Sequence, residues 1–476
     1  MIPGRRNLSR HNDRSTSGVI AVLGNYGNTN LGDEATLAAI IEQVAQRRPK
    51  AKIIALAVDP EATYDRHGIT ALAAWGRFKK PRASHQPASG STNRQRSRLA
   101  IWMRNSLRPV ASIVRRPLDL LVSLATLGDE AIFPIKCWVA MRGVDWLLIG
   151  GSGQISDQFY GPWNFPYRLL VWALAAKAAG ARVAFVCVGA GSITSSLSRV
   201  FLKTALSLAD HRSLRDQRSR RIVEELGVRG PSVVAADVVF ELEARNAPAV
   251  VRKLADPPRV VGLNVFPYHA PFYWPDADPT IYRAYLDSAA KFIGWLGRHR
   301  YVVHLFPTQL RADLCVIRDL VATLEAKGIR LPAVQLLHAP VTGVESLAAT
   351  VAAVDLVIAT RFHALVMALR AGTPVLALSS QPKTDDLMAD MGLSAYRVSI
   401  DNIQLDSLTA CFTSLAQNAA SLRQQIQARV RELRREVDEL LDGLLGVPRS
   451  DADTGPIATS VPSPRADRRF VRRSSA

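Results

Sequence analysis

The sequence predicts an α/β protein with two Rossmann-like domains that face each other across a cleft, followed by a long C-terminal helix. Apolar runs of strand length alternate with helical stretches, and loops rich in glycine, asparagine or charge follow several of these runs. The alternation stops near Pro257 and Pro258 and then restarts, and 476 residues are enough for two domains. Such sheets bind ligands beyond the carboxyl ends of their strands.

The alternation can be followed through both predicted domains. The first is predicted over residues 18–245, with strands at 19–23, 52–58, 145–149, 182–188 and 233–240 and helices that include 35–46 and 167–179. The second is predicted over residues 257–446, with strands at 259–265, 301–306, 334–337, 355–360 and 374–379 and helices at 282–298, 312–327, 345–354, 361–370 and 417–444.

Three segments lack a packing pattern. Residues 1–17 and 447–476 are predicted to be a disordered arm and a disordered tail. Residues 77–117 form a basic insertion, with eleven Lys or Arg and no acid between Arg77 and Arg116. One interpretation of this insertion is an amphipathic basic helix on an anionic membrane surface, and the other is a solvated, partly disordered segment.

Charge and cysteine content limit the function classes. The formal net charge is +19, but much of it lies in the insertion and the tails, and no helix-turn-helix, zinc-finger or RNA-recognition signature is present. We therefore do not expect a nucleic-acid partner. The four cysteines form no CxxC pair and no metal-ligand spacing, which favours reduced thiols in the cytoplasm and predicts no metal site. No apolar stretch is long enough to span a membrane, so a cytoplasmic protein, peripheral at most to the inner face of the cell membrane, is expected.

Two glycine loops follow predicted strands of the first domain. The loop 24–34 reads GNYGNTNLGDE and offers Asn25, Asn28 and Asp33 as site residues. The alternative role for its carboxylates is to satisfy the dipole of the helix that follows. The run GGSG at 150–153 offers Gly151 and Ser152, whose free amides would bind an anion, and the alternative is an ordinary strand-to-helix turn.

Two further loops carry cations. Arg215 in the segment SLRD suits a phosphate or carboxylate through a two-pronged hydrogen bond, and the alternative is local ion pairing with Asp216. Arg361 and His363 open a helix directly after an apolar strand, and Lys383 follows the next strand. A lone histidine there would be structural more often than not, but the two cations favour a functional imidazole.

These segments together resemble polysaccharide pyruvyl transferases. NYGNTNLGDEA, the glycine run with Asp157, SLRD, and TRFHAL, AGTPV and QPK occur in that family's order over roughly residues 18–400, without the 77–135 insertion and both tails. The chain departs from the family in reading GGSG where three consecutive glycines are more usual, and Ser-Ser-Gln-Pro before Lys383 where Tyr-Asp-Pro is more usual.

The resemblance implies a GT-B-like fold and an enzyme that needs no organic cofactor. It implies phosphoenolpyruvate as donor and, as acceptor, two hydroxyls of a hexose in a bacterial surface polysaccharide or its lipid-linked precursor. We hypothesise that His363 is the general acid or base, that Arg215, Arg361 and Lys383 hold the donor's anionic groups, and that Asp33 orients or deprotonates the sugar hydroxyl. Two alternatives stay open: a GT-B glycosyltransferase that uses a nucleotide sugar, and a non-catalytic carbohydrate-binding protein.

Overall fold

Two parallel sheets organise the chain. The computed structural model describes residues 17–75, 131–158, 161–243, 260–274, 276–329 and 341–446. Within these ranges, one sheet has seven strands in the order β3-β2-β1-β4-β5-β6-β7 and the other has five in the order β12-β11-β10-β8-β9. The strands are β1 Ser17–Leu23, β2 Lys50–Ala57, β3 Thr70–Ala73, β4 Trp146–Gly150, β5 Arg182–Val188, β6 His211–Leu214, β7 Val233–Val234, β8 Val260–Asn264, β9 Val302–Phe306, β10 Leu356–Ala359, β11 Val375–Ser379 and β12 Arg397–Ser399.

Helices connect these strands, and side chains at their ends mark where several begin. Asn30 accepts a hydrogen bond from the N–H of Gly32 at the start of the first helix, and Asp59 caps the second, which opens with a proline. The helices are α1 Leu31–Arg47, α2 Pro60–His67, α3 Phe165–Ala178, α4 Ser196–Ser207, α5 Gln217–Glu225, α6 Pro279–Arg298, α7 Ala312–Ala326, α8 Val344–Ala353, α9 Phe362–Arg370, α10 Pro382–Asp390, α11 Leu405–Gln417 and α12 Ala419–Leu445. Residues 131–141 are also helical.

The first sheet is covered on both faces. Strand residues alternate between two cores, so that Ile20 and Val22 pack with α1 whereas Ala21 and Leu23 pack beneath helix 131–141, α3 and α4. Phe133 of helix 131–141 meets Trp172 of α3 edge to face, with ring centroids 6.2 Å apart. This helix layer therefore has one face in the core and one face turned outwards.

The long helix α12 links the two halves of the molecule. Near its start, Gln425 and Arg429 donate to backbone carbonyls at the end of α10 in the second half. Near its end, Asp438 and Asp442 accept hydrogen bonds from the buried guanidinium of Arg47 on α1 in the first half. The predicted long C-terminal helix is thus confirmed, and it is anchored to both halves.

The chain after Val234 departs from the predicted secondary structure. The predicted strand 233–240 is wrong beyond Val234, because the chain leaves the sheet and forms a 3₁₀ turn over Val238–Glu241. The predicted strand 334–337, the 77–117 insertion and both tails lie outside the described residues. None of the described helices meets the length and hydropathy needed to cross a bilayer.

Candidate active site

The candidate site lies where the two halves meet. His363 is in the first turn of α9, directly after β10, and its ring lies against Gly32 at the start of α1. A Cβ atom built on Gly32 would fall 2.1 Å from His363 Nδ1, so only glycine permits this approach. The contact joins the loop after β1 of one sheet to the loop after β10 of the other.

Next to this contact, Asp33 is held by three asparagines. Its Oδ2 accepts hydrogen bonds from the side-chain amides of Asn25 (3.1 Å), Asn28 (3.1 Å) and Asn30 (3.0 Å). Its Oδ1 is buried, and no described residue donates a hydrogen bond to it. Asn25 and Asn28, predicted as substrate ligands, therefore orient the carboxylate, which leaves one oxygen of Asp33 free to act on another group.

The neighbouring Glu34 has a different role. Its Oε1 accepts the N–H of Gly27 and pairs with Arg66, and its Oε2 lies 2.8 Å from His67 Nε2. These bonds tie the glycine loop to the end of α2. Glu34 is therefore a structural carboxylate that fixes the loop carrying Asp33.

A second buried carboxylate, Asp237, connects the histidine to an arginine. Its Oδ2 lies 3.8 Å from His363 Nε2 and 3.4 Å from Arg215 Nη1, and Asp237 is only 1% exposed. Sequence analysis missed this residue because the apolar run 233–240 suggested a strand with an incidental acid. The available signal was an acidic residue at the carboxyl end of the last strand of the first domain.

Arg215 and Lys383 converge on the ring of Phe362. The Arg215 guanidinium carbon is 4.0 Å from the ring centroid and Lys383 Nζ is 5.7 Å from it. Arg215 follows β6, and Lys383 lies in the first turn of α10 after β11, so the cations come from different sheets. Asp216 is both a 3.5 Å partner of Arg215 and the cap of α5, so the predicted local pairing exists beside the cationic cluster.

Burial and mutual repulsion perturb the charges of this cluster. Burial is the largest cause that lowers the pKa of Lys383 from 10.5 to about 8, and Arg215 and Arg361 add to it. Burial also lowers the pKa of His363 below 6.5; Asp237 and Asp33 oppose this shift, whereas Arg215 and Lys383 reinforce it. The imidazole is therefore mainly neutral at pH 7, whereas most of the ammonium remains charged.

Arg361 makes shorter ion-pair contacts than Arg215 does. Its Nε lies 2.9 Å and 3.1 Å from the two carboxylate oxygens of the fully buried Asp313, which also accepts the N–H groups of Thr308 and Gln309. Burial alone would lower the pKa of Arg361, but Asp313 outweighs it and raises the pKa. Arg361 is thus bonded to Asp313, a partner that the sequence did not indicate, and its predicted contact with substrate stays a prediction.

The glycine run after β4 also differs from its prediction. The N–H of Gly151 donates to the carbonyl of Val186 (3.0 Å), so the expectation of free amides is wrong there. A Cβ on Gly151 would fall 2.3 Å from Thr36 of α1, and both Gly151 (φ 49°) and Ser152 (φ 56°) have positive φ angles. The run is therefore a tight turn packed on α1. Its Ser152 carbonyl accepts the N–H of Gly189.

A cleft of about 550 Å³ opens beside the cations. Arg215 and Lys383 form part of its wall, with Ser380 and Gln381 from the second half and Asp157 from the first. Burial would raise the pKa of Asp157, but hydrogen bonds from the N–H groups of Ser195 and Thr194 outweigh it and lower the pKa, so Asp157 holds the turn that leads into α4. His363 and Asp33 are not part of this lining and lie at the junction of the two halves.

Residues from four predicted loops thus meet at one junction, as the family resemblance would require. The sequence model of the polysaccharide pyruvyl transferase family matches residues 30–382, more than half of the chain. The chain belongs to the polysaccharide pyruvyl transferase family. In this family member the matched region includes Asp33, Arg215, Asp237, Arg361 and His363, and it ends one residue before Lys383.

Solved structures resemble this pyruvyl transferase family member in fold. The S. aureus MnaA–UDP complex has a TM-score of 0.51 at 10% identity, and the match covers 90% of this chain and 96% of the MnaA chain. The UDP-GlcNAc 2-epimerase from Neisseria meningitidis bound to UDP-GlcNAc has a TM-score of 0.51 at 11% identity, and the match covers 90% of this chain and 99% of the epimerase chain. This similarity confirms the GT-B-like fold. No curated protein sequence matches the chain.

Proposed function

We propose that this protein transfers a pyruvyl group from phosphoenolpyruvate to two hydroxyls of a sugar and leaves a cyclic ketal. The observation that carries the proposal is the meeting of Arg215 and Lys383 with the pair His363 and Asp33 at the junction of the two halves. The first pair suits a small dianionic donor, and the second suits proton transfer.

The cations fit the donor's charge. Lys383 is in the first turn of α10, where the helix dipole repels a cation and attracts an anion. A bound phosphate or carboxylate would offset both this repulsion and the repulsion from Arg215. Arg215 is held over the ring of Phe362, which limits the positions that its guanidinium can take toward an anion. We assign the donor phosphate and carboxylate to these two residues, with Arg361 and Asp313 as their support.

The acid–base groups have atoms left over for substrate. Among the described residues, neither His363 Nε2 nor Asp33 Oδ1 has a hydrogen-bond partner, although both atoms are buried. The neutral imidazole favoured by burial accepts a proton from a hydroxyl and can return it. Asp33, fixed by its three amide donors, orients the attacking hydroxyl.

The reaction balances with these groups alone. A proton is added to the methylene carbon of phosphoenolpyruvate, and the first sugar oxygen bonds to the adjacent carbon. The bond from that carbon to the phosphate oxygen then breaks, and the second sugar oxygen takes its place. The two sugar hydroxyls lose two protons in all. One compensates for the proton added to the methylene carbon, and the other ends on the released phosphate. No redox change occurs, and we propose no organic cofactor.

The acceptor belongs to the proposal as well. A hexose of a surface polysaccharide, or of its lipid-linked precursor at the inner face of the membrane, is the acceptor class proposed from the family. A basic insertion at 77–117 would suit an anionic membrane, because each Lys or Arg near such a surface contributes about 1 kcal/mol.

Ligand-dependent thermal shift is the first test. Phosphoenolpyruvate should raise the midpoint of the full-length protein, whereas UDP-GlcNAc, the ligand of the structural neighbour, should not. A shift with the nucleotide sugar alone would instead favour the glycosyltransferase alternative, and no shift with either would favour the non-catalytic one.

Variants and product analysis complete the test. Arg215→Ala should weaken the shift with phosphoenolpyruvate. His363→Ala should keep the shift but lower phosphate release in the presence of a glycan acceptor by about 10²–10⁴-fold. The product should carry the added mass of a pyruvate ketal. Near-normal turnover by the His363 variant would remove the imidazole from the mechanism.

A further inference from the structure

Exposed apolar side chains are concentrated on one helix layer. Among the described residues, thirteen large apolar side chains are exposed, and eight of them lie on helix 131–141, on α4, or on and just before α3. Scattered exposed apolar residues are normal, but a concentration on one face marks an interaction surface. The eight are Ile132, Ile135, Trp138, Val139, Trp163, Leu174, Leu197 and Val200.

Helix 131–141 is apolar on both sides. Phe133, Cys137 and Met141 recur every four residues and are buried against the sheet. The opposite side carries Ile132 and Ile135, which are 47% and 58% exposed. A helix that is apolar all round is normally buried all round. Its outer side therefore needs a partner, since among the described residues the packing covers only its inner side.

The chain itself indicates the chemistry of that partner. At one end of the 76–130 segment, Trp75 packs on Phe165 at the start of α3 (5.7 Å), and at the other end Phe133 packs on Trp172 of α3. The sequence between these anchors contains the eleven Lys and Arg from Arg77 to Arg116 without an acid. A strongly basic sequence thus departs from and returns to the fold at the apolar layer.

We propose that the outer face of helix 131–141, α3 and α4 docks on an anionic lipid bilayer. Tryptophan and aliphatic side chains enter the interfacial region, and nearby cations bind acidic headgroups. Trp163, which is 61% exposed, directly precedes Asn164 and Phe165 in the lining of the cleft. Docking therefore holds the mouth of the cleft at the bilayer. This inference does not depend on which donor the enzyme uses.

The test is sedimentation of the full-length protein with vesicles. One set contains phosphatidylcholine only, and the other also contains phosphatidylglycerol. The double variant Ile135→Glu with Trp138→Glu alters the proposed face. Its matched control is Ile281→Glu with Leu314→Glu, which adds the same charge at exposed apolar sites of α6 and α7 in the other half.

Wild type and the control should sediment with the phosphatidylglycerol vesicles, and the face variant should partition at least about tenfold less. Thermal midpoints and light scattering of each protein without vesicles accompany the assay. Equal binding by the face variant, or no binding by wild type, overturns the proposal. So does loss of a dimer in the face variant, which assigns the face to a second copy. If only the face variant has a much lower thermal midpoint and wild type does not bind vesicles, the face instead packs against another part of the same chain.

Discussion

Lys383 offers a test that separates ligand binding from stability. Without ligand, its ammonium is buried beside two guanidinium groups, and its pKa falls from 10.5 to about 8. Because one pKa unit corresponds to about 1.4 kcal/mol, the charged form destabilises the folded protein by at most about 3.5 kcal/mol. Water reaches part of this side chain, so about 1–2 kcal/mol is the expected gain when Lys383→Met removes the charge.

The pH dependence of this gain has a defined sign. The folded pKa lies below the unfolded one, so the unfolded chain binds more protons between pH 8 and 10.5. The stability of wild type therefore rises with pH in that window, and the destabilisation by Lys383 is fully present below it. The advantage of Lys383→Met should be largest at pH 7 and should close towards pH 10.5.

Scanning fluorimetry with and without phosphoenolpyruvate measures both effects. At pH 7, Lys383→Met should raise the midpoint of the ligand-free protein by roughly 1–3 °C and lose most of the upward shift that the ligand gives wild type. Lys291→Met, at an exposed position of α6, should change neither quantity. The reasoning fails if Lys383→Met lowers the ligand-free midpoint, if its gain is equal at pH 7 and 10, or if the ligand shift survives.

The remaining expectations concern the histidine, its glycine contact and the buried ion pair. If His363 acts as a base, the acidic limb of kcat/KM should lie below pH 6.5 because burial lowers its pKa, and a midpoint above that pH would contradict this role. Gly32→Ala places a Cβ atom 2.1 Å from the imidazole and should lower kcat strongly, whereas Gly443→Ala, where a Cβ meets open space, should leave kcat unchanged. Asp313→Asn should destabilise the protein by about 3–5 kcal/mol, because Arg361 then remains buried without a carboxylate; an unchanged thermal midpoint would argue against this pairing.

Local patterns made much of the architecture predictable. The apolar runs and the glycine-rich loops behind them placed β1, β5, β10 and β11 within two residues of their observed bounds. Since parallel strands end at one edge of a sheet, the loops after them converge, which is why separate segments indicated one site.

Partners distant in sequence were not predictable in this way. Asp313 lies 48 residues before Arg361, and nothing in the sequence of either segment names the other. Asp237 was hidden because a short strand followed by a 3₁₀ turn has the same apolar character as one long strand. The amide of Gly151 was misjudged because its acceptor, the carbonyl of Val186, comes from the neighbouring strand. The sequence indicates which chemical groups lie near the site but not which of them neutralise one another.

The anchoring of α12 on both halves has a consequence for biosynthesis. Arg47 is buried, and its carboxylate partner Asp442 follows 395 residues later. Although N-terminal domains usually fold first during translation, this half cannot complete its buried charge pairing until nearly all of the chain has left the ribosome. A nascent or truncated chain ending before α12 would keep an unmatched guanidinium at the end of α1, and only the finished polypeptide could close both halves together.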